Sequence, residues 1–286
     1  MAGVDVSVVA RDRTDLLGEG LFWSARDQAI FWTDIIGQRI NRLLLSSRQV
    51  DSWEVTGAPG WIIGRAQRDF VAGIGRTIAR VSFEPFSCET LAPIPGVPEG
   101  QRVNDAVADR QGRIWFGTMP ISCDTPTGAF HCLSQGRVRR VDDTPYTIPN
   151  GPVIHPDGNV LFHTDSAMGV IFRYPMINGM PGSRKPHISF EPDWGVPDGM
   201  TMDADQCLWV ACWGGSCVMR FDPDGKAMQR ISLPASQITN CTFGGENLDR
   251  LFVTSAAEGI EEEHAGALFE LDPGCRGLEP CLYQEG

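Results

Sequence analysis

The sequence predicts an all-β protein, a six-bladed β-propeller. Three observations carry this. Six short segments begin alike, anchored at Glu19, Trp61, Asn104, Asn150, Asp198 and Asn240, and recur every 42 to 48 residues, the period of one four-stranded blade. Within each period, short runs rich in Val, Ile, Phe, Trp and Thr alternate with polar turns, as strands do. No long segment repeats apolar residues at the helical period, so helix content is expected to be very low. Length alone suggests about two domains, but blades bury their faces against one another. A single domain over residues 1–286 is expected.

The elements follow a common grammar. Val4–Val9 reads as a strand, and a propeller that pairs one terminal strand into the other terminal blade leaves no exposed edge there. In the second period, Phe70–Ile74 and Ile78–Val81 supply strands, but its opening is Gly-rich and least regular. The third has the turn Ala108–Gly112 before the strand Arg113–Gly117. The fourth sets His155-Pro156-Asp157-Gly158-Asn159 between apolar runs, where Pro presets φ and Gly takes the left-handed position. Asp203–Gln206 precedes Cys207–Ala211 in the fifth, and Gly244–Asn247 precedes Arg250–Thr254 in the sixth. Ala267–Leu271 is the last strand before a Gly-, Pro- and Cys-rich end.

A formal net charge of −12 argues against a nucleic-acid partner. No basic stretch leads into an N-terminal apolar run, and no apolar stretch is long enough to span a bilayer, so a cytoplasmic protein with no membrane partner is expected. Nine cysteines without a CxxC pair give neither a zinc ribbon nor a disulfide framework, and buried free thiols are expected. Glycine-rich nucleotide loops and the Gly-x-Ser-x-Gly elbow are absent. No two of the five histidines have metal-ligand spacing; His163 reads as a hydrogen-bonded core partner of Asp165.

The innermost strands of a propeller face its axis, so Glu19, Asn104, Asn150 and Asp198 converge there. Alone, a Glu-Gly, Asn-Gly or Asp-Gly step reads as a turn; at the same phase of separate repeats, the three read as a site. Glu19 and Asp198 supply carboxylates and Asn150 an amide oxygen, the ligands of a hard divalent cation. A central metal site on Glu19, Asn150 and Asp198 is expected, with calcium, zinc, magnesium, manganese and ferrous iron all admissible. Arg102 and Asn104 share a face of an extended segment and suit a polyhydroxylated ligand.

These residues lie in stretches that resemble the gluconolactonase/regucalcin (senescence marker protein) family: Leu17–Trp23, Arg102–Asp105, Trp115–Met119, Pro149–Pro152, Pro197–Met200 with Leu208–Ala211, and Cys241–Gly245. They run in the family's order over nearly the whole chain. The resemblance implies a six-bladed propeller with one axial divalent metal on Glu19, Asn150 and Asp198. It further implies substrate contacts from Arg102 and Asn104, and Asp198 as general base. One departure stands out. Where several members carry an acidic residue after the Gly-Thr-Met motif, Met119 is followed here by Pro120-Ile121-Ser122-Cys123. The expected activity is metal-dependent hydrolysis of a sugar lactone, gluconolactone-like, pentono- or modified hexonolactone. A phosphotriesterase- or arylesterase-type hydrolase and a non-catalytic calcium-binding regulatory protein are the alternatives.

Overall fold

The computed structural model describes residues 4–285. Six antiparallel sheets stand around one axis, and the inner strands of neighbouring sheets contact one another in a closed ring. Those inner strands are Gly18–Ser24, Pro59–Gly64, Gln101–Ala108, Pro149–Ile154, Val196–Met202 and Ile238–Gly244, numbered here as blades one to six. Each contains one of the six repeat anchors. Blade two, the least regular in sequence, is an ordinary four-stranded sheet. In blade four, two short segments, Met180–Pro181 and Lys185–Ser189, pair the same third strand, Val170–Ile177. Helix is confined to two 3-10 turns, Ser166–Met168 and Pro192–Trp194. No helix among the described residues is long and apolar enough to cross a membrane.

The ring closes as the sequence suggests. Val6–Val8 forms the outer strand of blade six, with Val6 opposite Leu271 and Val8 opposite Phe269. A second closure is not visible in the sequence. The segment after Leu271 crosses one face of the propeller: Gly277 N–H donates to the Leu248 carbonyl, Tyr283 N–H to Gly64 and Gln284 N–H to Gly112. Glu285 completes this strap by pairing with Arg65. Blades six, two and three are thereby tied together by chain that has no strand-like composition.

The core lies between blades, where fully buried aromatic and branched side chains of adjoining sheets meet. Phe31 and Phe70 are one such pair, with ring centroids 4.5 Å apart. Buried carboxylates brace the sheets. Asp203 accepts from the backbone N–H groups of Asp205 (2.9 Å) and Cys207 (3.0 Å), from Trp209 Nε1 (2.9 Å) and from Arg220 (2.8 Å). Asp109 makes the same set with Gln111, Arg113 and Trp115. These turns recur because one carboxylate satisfies the turn and the tryptophan of the next strand together.

All six inner strands carry a β-bulge at the same level, at or beside the repeat anchor. Two residues there oppose one: Asn104 and Asp105 oppose Gly117, and Asp198 and Gly199 oppose Ala211. The bulges make a narrow waist. A Cβ on Gly60 would fall 2.5 Å from the Asn104 carbonyl oxygen, and one on Gly151, which has φ +51°, 2.7 Å from that of Asp198. Only glycine lets neighbouring strands come so close, and at Gly151 only glycine takes the left-handed backbone without strain.

Asp203→Ala is expected to cost about 3 kcal/mol, because it leaves the buried Trp209 indole N–H and two turn N–H groups without their acceptor and removes one of the two carboxylates that hold Arg220. A chemical denaturation curve whose midpoint shifts by less than a third of that would contradict this assignment of Asp203.

Candidate functional site

The bulges decide which side chains meet on the axis. In a regular strand, consecutive residues point to opposite faces; a bulge breaks the alternation and re-aims a side chain. Two chains of hydrogen bonds result. In the first, Arg102 Nη1 donates to Asn104 Oδ1 (2.6 Å), and Asn104 Nδ2 donates to Asn150 Oδ1 (2.5 Å) and to the Pro149 carbonyl (2.9 Å). Asn150 Nδ2 donates to Ser166 Oγ (3.0 Å), whose hydroxyl donates to the Pro197 carbonyl (2.6 Å), beside Asp198. In the second, Asn240 Nδ2 donates to Glu19 Oε2 (3.1 Å) and lies 3.5 Å from Asp105 Oδ2, which accepts the Gly151 N–H (2.9 Å).

The five residues singled out in the sequence, Glu19, Arg102, Asn104, Asn150 and Asp198, therefore come together, each no more than 9% exposed. Three further residues belong with them. Asn240 was visible as a repeat anchor with an amide side chain. Asp105 was not, because strand alternation turns it away from Asn104; the bulge brings both to the axis. Ser166 sits in the turn after a strand, with no sequence signal at all.

Buried aspartates hold the approaches. Asp34 accepts the N–H groups of Leu16 (3.1 Å) and Leu17 (3.0 Å), just ahead of Glu19. Asp165 accepts those of Thr147 (2.8 Å) and Ile148 (2.9 Å), just ahead of Asn150. This corrects the expected His163–Asp165 pair: both ring nitrogens of His163 lack a partner. His163 packs on Phe130 at 4.1 Å between centroids, and burial pushes its pKa down to about 3. It is a neutral core side chain. The cysteine expectation holds in part: the described cysteines are all free and five are buried, but Cys88 and Cys123 are exposed.

Three carboxylates share the waist with one guanidinium. Burial, and next the Asp105 charge, push Glu19 up to about 8. Burial and then the Glu19 charge hold Asp198 well above its usual range, and burial raises Asp105 to about 6. Arg102 is lowered by its burial. Asp198 Oδ1 is buried with no hydrogen-bond partner. Among the described residues, no three His, Cys, Asp or Glu side chains form a group that could hold a metal ion by themselves. A cavity of about 640 Å³ lies on the far side of the waist, lined by Phe22, Ile62, Met200 and Thr242 among others. Asp105 and Asn240 reach its wall, and the five predicted residues do not.

A model of the SMP-30/gluconolactonase/LRE-like region matches residues 17–257. The chain belongs to this family. Regucalcin of Danio rerio is 31% identical, over 99% of this chain and 99% of its own. The 6-deoxy-6-sulfogluconolactonase of Pseudomonas putida is also 31% identical, over 91% of this chain and 93% of its own. Among solved structures, the calcium-binding protein regucalcin of Agrobacterium tumefaciens superimposes with a TM-score of 0.92 at 25% identity, covering 99% of this chain and 100% of that one. A gluconolactonase of Xanthomonas campestris shares the fold, with a TM-score of 0.77 at 24% identity and coverage of 94% and 89%.

The raised Glu19 carboxyl has a consequence for stability. Without a cation it holds its proton up to about pH 8 in the folded protein, against a usual value of 4.5. Unfolding releases that proton between these values, so stability falls as pH rises through the window. In chelator, the melting temperature is expected to drop from about pH 5 to about pH 8, and Glu19→Gln to flatten the drop. A wild-type profile that rises over this range would refute the assignment.

Proposed function

We propose that this protein is a metal-dependent hydrolase that opens a sugar-acid lactone, an aldonolactone, to the aldonic acid. The supporting observation is the buried axial cluster, in which an oxygen-donor set directly adjoins a guanidinium–amide pair. Glu19 and Asp198 bring two carboxylates and Asn150 an amide oxygen, with Asp198 Oδ1 unpartnered and only Arg102 to balance the buried negative charge. That is the chemistry of a divalent-cation site. Calcium is the first choice, given the calcium-binding neighbour; zinc, magnesium, manganese and ferrous iron satisfy the same donors. When bound, such a cation would polarise the lactone carbonyl and keep Asp198 ionised.

The chain's own groups do the rest. A guanidinium has five N–H donors; those on Arg102 Nη1 are engaged by Val103 and Asn104, and the others are offered to sugar oxygens. Asn104, fixed by its bonds to blade four, orients the same ligand. Asp198 takes a proton from the attacking water as its oxygen adds to the carbonyl carbon. It then returns the proton to the ring oxygen as the carbon–oxygen bond breaks. The names of two relatives support lactone opening, a sulfogluconolactonase and a gluconolactonase. At the rim, Ile121, 61% exposed, and Cys123 stand where a carboxylate acceptor is missing, which favours a pentonolactone or modified hexonolactone. The regucalcin relatives keep a second reading in play, calcium binding without turnover.

The test is turnover of a panel of aldonolactones by metal-stripped protein with each divalent ion restored, against a no-enzyme blank. Asp198→Asn is expected to lower kcat about 10³-fold, and full activity in that variant would sink the mechanism. Arg102→Ala is expected to raise KM about tenfold, the loss of one charge-assisted hydrogen bond. Metal binding with no turnover of any lactone would favour the second reading.

A further inference from the structure

Blade five carries two cysteines outside the axial cluster. Cys212 lies near the end of its second strand, Leu208–Trp213, and Cys217 opens its third, Cys217–Phe221. The two are direct partners across this antiparallel pair. Directly opposed residues in such a pair have Cα atoms roughly 4.5 or 5.5 Å apart, and disulfides form across roughly 4.4–6.8 Å. The register alone therefore puts them within bonding reach. Other strand cysteines have different partners: Cys132 opposes Trp115, Cys88 opposes Val81 and Cys241 opposes Val253.

The surroundings of the two thiols differ. Gly215, in the turn between them, donates to the Cys212 carbonyl (3.0 Å) and receives a hydrogen bond from Arg230 Nη2 (2.9 Å). The guanidinium thus sits against the hairpin beside Cys217. The facing Cys212 thiol, and after it the Arg230 guanidinium, lowers Cys217 from its ordinary range, whereas the facing Cys217 and burial hold Cys212 well above; Cys212 Sγ itself donates to the Val210 carbonyl (3.5 Å). Both thiols are buried, but the turn that joins them is exposed at Gly214, so a small peroxide reaches Cys217, the first strand residue after the turn, when the hairpin tip opens. Cys217 is then suited to attack as the thiolate and Cys212 to resolve the product.

We propose that Cys212 and Cys217 are a reversible oxidation site, closing to a disulfide when the protein meets a peroxide. The Cys217 thiolate attacks one peroxide oxygen; the sulfur–oxygen bond forms, the oxygen–oxygen bond breaks, and the leaving hydroxide takes a proton to become water. Cys212 sulfur then attacks Cys217 sulfur, the sulfur–oxygen bond breaks, and the Cys212 proton leaves with a second water. Two thiols are oxidised and one peroxide is reduced. The closed loop is short, so the bond removes little chain entropy and stays open to reduction. Cys212 also pairs with Pro197 on its other side, next to the bulge residue Asp198, so the bond forms one strand from the axial cluster. The proposal stands whether or not the protein is a lactonase.

The test exposes the full-length protein to hydrogen peroxide, alkylates remaining thiols under denaturing conditions and maps the peptides by mass spectrometry. The expected result is one peptide holding Cys212 and Cys217, two hydrogens lighter and unalkylated, that dithiothreitol returns to the dithiol form. Arg230→Gln, at a partly exposed side chain, is expected to slow closure about tenfold. Full alkylation of both cysteines after exposure, or linkage of either to a different cysteine, would overturn the proposal. An Arg230→Gln rate equal to wild type would overturn the role given to Cys217.

Discussion

The close approach of the six inner strands at the waist is the constraint on which the remaining structure depends. Backbone meets backbone there: Gly20 against Gly60, Gly60 against Asn104, Gly151 against Asp198, and Gly199 against the Asn240 side chain. This spacing lets the short Asn104 and Asn150 amides reach each other directly from neighbouring blades. It also forces Glu19, Asp105 and Asp198 into one another's fields. Crowded carboxylates without water are costly. The apolar interfaces outside the waist, where Trp23, Trp32, Trp115 and Trp209 are almost wholly buried, oppose that cost and hold the ring shut.

Much of the fold was legible because the repeat is a physical unit. A blade cannot bury its faces alone, so its spacing survives in the sequence as the recurrence of apolar runs and turns. The terminal strand at Val6–Val8 could be read for a related reason: an open blade edge needs a partner. The strap from Gly277 to Glu285 could not, since it is held mostly by backbone hydrogen bonds to Leu248, Gly64 and Gly112 and by one ion pair, none of which leaves a periodic trace. The Phe130 face that takes His163 away from Asp165 is likewise a product of packing between blades.

At the site, the same distinction holds. Glu19, Asn104, Asn150 and Asp198 were found from their phase in the repeat, and Arg102 from strand alternation. Asp105 was hidden by that very alternation, which the bulge opposite Gly117 suspends. Ser166 was hidden because its partners, Asn150 and the Pro197 carbonyl, come from two blades and only the closed ring puts it between them. Residues that act through one strand are readable; those that act by spanning strands are not.

The seam between Val6–Val8 and Leu268–Leu271 bears on how the molecule assembles. It joins the first strand of the fold to the last, so it is the longest-range strand pairing, and pairing of this range is slow to form. The entropy of closing so long a loop grows only logarithmically, so the seam slows folding more than it weakens the product. Blades can form from neighbouring hairpins before the seam exists, but the axial cluster draws on blades one, three, four, five and six and is complete only once the circle is. A ligand on the axis therefore selects the closed ring over every partly assembled one, and its binding energy is spread over the whole circumference.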